Sequence, residues 1–200
     1  MRRREVIAAV GGAAALWPLV AGAQARTRTV GVLVVGAASS DKFRQIFQEA
    51  MLDLGYVEGQ NIHFEHRSDE GQAGRLPGLA EELVRDKVDV IVAWFTPAAT
   101  AAKQATHDIP IVMASAGDPL ATGLVESLAH PGGNITGISG MAADLAGKCV
   151  DLMREVLPGA HRVAALVNAP DPFSKPFLAK IQSAGGAGAV TIDPVNQTRG

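Results

Sequence analysis

Hydrophobic and polar positions along this chain fall into two alternating rhythms. Residues 30–35 form a short continuous apolar run with four valines, ending at Gly36 in a small, polar loop through Ser39 and Ser40. Such a run predicts a strand buried on both faces. Phe43, Ile46, Phe47, Ala50, Met51 and Leu54 then recur at spacings of three and four. They predict a helix that Ser40 or Asp41 can cap and that Gly55 can end in the left-handed conformation. Ile62, Phe64 and His66 alternate with His63 and Glu65, the pattern of a half-exposed edge strand.

The same rhythms repeat. Leu76, Leu79, Ala80, Leu83 and Val84 make a second helical stripe, and residues 88–93 a second buried strand. Thr96 is placed to cap a helix with Pro97 at its first position, running through Ala98 to Thr106. Residues 109–114 predict a third buried strand, after which Asp118 caps and Pro119 opens a short helix to Leu128. Pro131-Gly132-Gly133 is a turn, residues 135–138 a short strand, 145–157 a helix, 162–167 a strand, 173–184 a helix and 190–192 a last strand. Strand and helix alternation of this kind predicts an α/β fold with doubly wound parallel sheets. Ligands of such sheets bind outside the carboxyl ends of the strands. Here those ends lead into the loops 36–40, 94–98, 115–119 and 168–174.

The N-terminus follows a different logic. Arg2, Arg3 and Arg4 precede an uncharged stretch, residues 7–23, and Ala23-Gln24-Ala25 is a small-x-small cleavage site, so residues 1–25 read as an export signal cleaved after about Ala25. Arg3-Arg4-Glu5-Val6-Ile7 is similar to the twin-arginine pattern, with valine where phenylalanine is usual. An uncleaved anchor is the alternative, but Gly11, Gly12, Pro18 and Gly22 interrupt a run shorter than the ~20 residues of a spanning helix. The expected compartment is the periplasm.

Charge and cysteine usage narrow the function. The net charge is −2 over 200 residues, and the stretch after residue 25 carries 15 basic against 19 acidic side chains, so no nucleic-acid partner is expected. Cys149 is the one cysteine, and no Cys/His spacing points to a metal. The dinucleotide glycine fingerprint, the phosphate-binding loop and the nucleophile elbow are all missing. His63, His66, His107, His130 and His161 read as surface or loop residues, none of them beside a nucleophile. No enzyme and no cofactor are expected.

What the loops offer is hydrogen-bond donors. Thr96 and Asp118 start helices whose first N–H groups attract a ligand carboxylate, and Ser39, Ser40 and Ser115 add hydroxyls. The alternative for Thr96 and Asp118 is plain capping. One of Trp94 and Phe95 is expected to face the crevice and stack on a ligand ring, the other to pack in the core. Phe173 stands in the corresponding later loop, and Phe177 is read as core.

Several blocks in order resemble the substrate-binding proteins of ABC transporters with the type I periplasmic fold, in the branch of tryptophan and tyrosine binders. They are Leu54-Gly55-Tyr56-Val57-Glu58-Gly59-Gln60-Asn61-Ile62, Val88-Asp89-Val90-Ile91-Val92, Thr96-Pro97-Ala98-Ala99, Gly117-Asp118-Pro119 and Pro131-Gly132-Gly133-Asn134-Ile135-Thr136-Gly137. The resemblance implies two lobes, residues 26–140 and 141–200, hinged near residues 137–144 and closing on a small ligand, an amino acid, for delivery to an inner-membrane ABC permease. It implies first-lobe contacts at Thr96, Pro97, Ala98, Ser115, Gly117 and Asp118, with Ser39 and Ser40 in the loop after the first strand and Asn168 and Asp171 in the second-lobe loop. Relatives of this kind are longer and return to complete the first lobe, so the second lobe is expected to be incomplete at Gly200, ligand binding by these residues alone to be weak, and the protein to be a monomer. Two rivals stay open on the same sheet: a periplasmic hydrolase or isomerase using Asp118 as base, and a ligand-sensing subunit for a membrane receptor.

Overall fold

The computed structural model describes residues 27–188 and 190–196; residues 1–25, read above as an export signal, lie outside them. Five parallel strands make the main sheet: β1 (Arg28–Val34), β2 (Ile62–Ser68), β3 (Val90–Trp94), β4 (Ile111–Ala116) and β5 (Ile135–Ser139), in the order β2-β1-β3-β4-β5. A second sheet pairs β6 (Arg162–Val167) with β7 (Thr191–Asn196), also in parallel. The helices between them are α1 (Ala37–Asp53), α2 (Leu76–Arg85), α3 (Thr96–Ala105), α4 (Ala142–Val156) and α5 (Ser174–Ala187).

Both faces of the main sheet are packed where the valine-rich strands lie. On one face Leu33, Ile91, Ala93, Ile111 and Met113 meet Leu79 and Leu83 of α2 and the small side chains Ala98, Ala99 and Ala102 of α3. Alanines let α3 approach the strands closely, which explains why a helix with so few large residues still packs. On the other face Val30, Val32, Val34 and Phe64 meet Phe43, Phe47 and Met51 of α1. The predicted left-handed end of α1 is present: Gly55 has φ 86°, and the Tyr56 N–H donates to the Met51 carbonyl at 2.9 Å.

Four expectations are corrected. Residues 119–128 form turns, not a helix, because Gly123 adopts φ 70° and the Gly123 and Leu124 carbonyls are taken by the Lys103 ammonium at 2.7 and 3.0 Å. The strand expected from residue 109 begins at Ile111, since Pro110 has no N–H to donate. α1 begins at Ala37, so Ser39 and Ser40 lie in its first turn, not in a loop, and Gly36 takes the N-cap position with φ 86° and no side-chain cap. α5 runs to Ala187, through Gly185 and Gly186, where a weakened end was expected. Its glycines serve packing: a Cβ on Gly185 would lie 2.7 Å from the Val190 carbonyl oxygen.

α4 and α5 cover one face of the β6–β7 pair through Val150, Ile181, Ala165, Val190 and Ile192. Between the helices Lys180 and Asp144 form an ion pair of 2.8 Å, which raises the ammonium's pKa and lowers the carboxyl's. The opposite face of this pair carries Leu166 at 66% exposure, and Val195 beside it in the register is exposed too. No helix among the described residues is long and apolar enough to cross a membrane.

Candidate functional site at the carboxyl ends of the strands

β3 and β4 run side by side, so the loops that follow them are neighbours, and Trp94 pairs with Ser115 in the register. Thr96 ties the loops together. It begins α3 instead of capping it, Phe95 takes the N-cap position, and Pro97 is second in the helix. The Thr96 hydroxyl oxygen accepts the Gly117 N–H at 3.0 Å, and its carbonyl accepts the Thr100 hydroxyl at 2.9 Å. With 2% exposure Thr96 is a buried strut between two loops. The expected capping interaction is absent because its oxygen already serves the second loop.

Asp118 does cap, but a turn: its Oδ1 accepts the Ala121 N–H at 3.0 Å, and its carbonyl accepts the Thr122 hydroxyl at 2.7 Å. With no helix after Asp118, the pair of helix N-termini expected to attract a carboxylate reduces to that of α3. Pro97 and Ser115 are half-buried, whereas Ala98 is fully buried in the α3 face of the core, which leaves its side chain no surface to offer a ligand. The side chains of Ser39 and Ser40 lie outside the described residues.

The later loop comes down on this edge. A Cβ built on Gly117 would fall 2.4 to 2.7 Å from the ring carbons of Phe173, so the phenyl ring lies directly on the Gly117 backbone and glycine is the residue the contact allows. Asn168 is exposed, and its carbonyl accepts the Ser174 hydroxyl at 2.6 Å and the Asp171 N–H at 2.9 Å. Asp171 accepts the Phe173 N–H at 2.9 Å; burial pushes its carboxyl pKa up, against the pull of that N–H. Pro170 and Pro172 close an apolar cavity of about 260 Å³ with Pro77, Pro97, Thr100 and Ala101 of the main unit. On the other side of the same prolines a cavity of about 410 Å³ reaches Thr122, Asp171 and Lys175. The structure therefore brings Thr96, Ser115, Gly117, Asp118 and the Phe173 loop together at one end of the sheet.

Of the two aromatic residues after β3, Trp94 packs on Phe43 of α1, with ring centroids 4.1 Å apart, and Phe95 stacks on Trp94 at 4.8 Å and 15°. Phe95 is the exposed member, at 40%. Phe177 packs against the β6–β7 core cluster as expected.

Sequence reasoning missed Asp69. It is 1% exposed, just past β2, and its Oδ1 accepts the Gly36 N–H at 2.6 Å and the Gly71 N–H at 2.9 Å. The carboxylate thus holds the start of α1 against the end of the edge strand, and its Oδ2 is buried without a partner. Ser68-Asp69-Glu70-Gly71 was a legible signal, an acidic turn at the same sheet end as the other loops. The histidines of β2 also differ from each other. His63 lies between Glu58 at 2.7 Å and Glu65 at 3.1 Å, which raise its pKa. His66 is half-buried, with its Nε2 buried and unpartnered; burial first and Arg44 second push its pKa down. It is a packed residue, not the surface one expected. Among the described residues no cluster of His, Cys, Asp and Glu could hold a metal ion.

Residues 29–183 match the family model described as ABC transporter substrate binding protein. The chain is 37% identical over 138 residues to the tyrosine-binding protein of Clostridioides difficile (strain R20291), a match that covers 68% of this chain and 39% of that protein. Its fold is similar to a conserved domain protein of Vibrio cholerae (TM-score 0.77, 27% identity, 86% of this chain and 57% of that one). It is also similar to an ABC-domain structure in complex with L-Trp from Streptococcus pneumonia (TM-score 0.75, 28% identity, 85% and 57%). The chain spans little more than half the length of these structures and less of the tyrosine-binding protein. With the type I periplasmic-binding-protein fold and a family match over most of its length, this chain belongs to the ABC transporter substrate-binding proteins.

Proposed function

We propose that this protein is the extracytoplasmic solute-binding component of an ABC transporter, taking an amino acid by its carboxylate between two lobes, residues 26–140 and 141–200, and handing it to an inner-membrane permease. The observation that carries the reading is the convergence of three loops, with Thr96 bonded to Gly117 and Phe173 resting on Gly117. Donors at that edge are the N–H groups of Thr96 and Ala98 at the start of α3, where Pro97 has none and the Ala99 N–H goes to the Phe95 carbonyl, and the hydroxyl of Ser115; Asp118 and Asp171 border it. Thr96 contributes by holding the loops in register. The tyrosine-binding relative and the structure with L-Trp favour an aromatic amino acid.

Closure follows from the same contact. A ligand shifts the two lobes together only by as much as it prefers the closed state, so both the Gly117 loop and the Asn168 loop must touch it. In this reading the hinge lies near residues 137–144; the Gly140 and Ala142 N–H groups there donate to the Ala116 and Gly117 carbonyls at 2.7 and 3.0 Å. Residues 1–25 act as the export signal in this reading, and the protein works as a monomer. Ligand identity is read by ligand-observed NMR of the chain against a panel of amino acids, which registers the weak retention expected of these residues alone, with an aromatic amino acid expected to bind; Thr96→Trp should abolish its retention. Retention unchanged in Thr96→Trp would discredit the site.

A further inference from the structure

Phe95 combines two unfavourable features. Its backbone stands at φ 72°, ψ 161°, a region essentially reserved for glycine. Met141, also at positive φ, sits in the ordinary left-handed well at φ 46°, ψ 29°. Phe95 is also held 40% exposed, so a large part of its apolar surface stays in water. Glycine would suit the backbone better and a polar residue the surface better. Strain of this kind collects at sites where it serves function.

The surroundings fix that ring in place. One face lies on Trp94, which lies on Phe43; Phe43 stacks on Phe47 at 5.7 Å, and Phe47 meets Phe64 edge-on at 5.6 Å. The ladder runs from the edge strand to the carboxyl end of β3 and ends at Phe95. The register between β3 and β4 shifts at Ala93/Trp94, where β4 carries one extra residue, Ala114, opposite the end of β3. The residue after Phe95 is Thr96, the strut to Gly117.

We infer that Phe95 is a specificity-determining residue, its exposed ring a preformed stacking platform that selects ligands carrying a planar aromatic ring over aliphatic ligands of equal size. This rests on the solute-binding reading above. A ring backed by four others loses little freedom when a ligand stacks on it, and an offset-stacked pair adds attraction that an aliphatic ring of the same area does not supply.

The test compares L-phenylalanine with L-cyclohexylalanine, two probes that differ in aromaticity at nearly constant size, by ligand-observed NMR titration of the full chain, which reads weak as well as tight binding. The wild-type protein should prefer phenylalanine by about 3- to 10-fold. Phe95→Gly should bring the two affinities within about 2-fold while raising the melting temperature, because the φ strain is relieved. Phe95→Tyr should keep the preference. A preference that survives in Phe95→Gly, or equal affinities in the wild type, overturns the platform and leaves solute binding standing. Binding of neither probe, nor of L-leucine, overturns both.

Discussion

The two sheets of this protein answer the same problem differently. In the five-stranded sheet the central strands are covered on one face by α2 and α3 and on the other by α1, and Leu33, Ile91 and Ile111 are fully buried. In the β6–β7 pair one face rests on α4 and α5, and the other carries Leu166 and Val195 in the open. Parallel strands are stable when both faces are covered. Within this chain the first unit is therefore packed on both faces and the second on one, and the two meet where the Phe173 ring rests on Gly117 and where the Ala142 N–H donates to the Gly117 carbonyl at 3.0 Å.

The largest expected effect comes from deepening the contrast. Leu83→Ala removes a fully buried side chain of α2 and should cost about 2–5 kcal/mol in urea unfolding, whereas Leu166→Ala should stay within about 0.5 kcal/mol. Similar losses for the two would mean that the outer face of β6–β7 is covered in solution. Next comes the contact between the units. Gly117→Ala forces a methyl group into the Phe173 ring and should destabilise by about 1–3 kcal/mol. Adding Phe173→Ala should recover much of that loss, and a strictly additive double mutant would show that the ring does not rest on Gly117 in solution.

The smallest effect separates the two histidines of β2. The glutamates beside His63 raise its pKa, so folding gains stability that is fully present below about pH 6.5 and is lost as the pH rises through the raised value. His66 has a lowered pKa, so the unfolded chain binds the proton more readily and stability falls as the pH drops below about 6.5. Thermal melts from mildly acidic to mildly alkaline pH should therefore lose their alkaline slope in His63→Gln and their acidic slope in His66→Gln. Unchanged slopes would show that neither site is coupled to folding.

Much of this was legible in the residues. The runs at 30–35 and 162–167 and the stripe from Leu76 to Val84 gave elements in the right places, because a buried parallel strand and an amphipathic helix each impose a period that short-range sequence records. The misplacements fall where a distant group intervened. Asp118-Pro119 has the local signature of a helix start, but Lys103 claims the carbonyls that a helix would need. Thr96 has the signature of a cap, yet its hydroxyl oxygen serves an N–H 21 residues away.

Periodicity, then, determined the α/β architecture and the edge at which the loops gather. Tertiary structure alone decided that Thr96 is a strut, that Ala98 is core, that Trp94 is packed while Phe95 is exposed and strained, and that the buried carboxylate of Asp69 holds the start of α1. The reason is physical. Hydrophobic patterning is a property of neighbours in the chain, whereas burial, shared hydrogen bonds and ring stacking are set by residues that become neighbours only after the strands have paired.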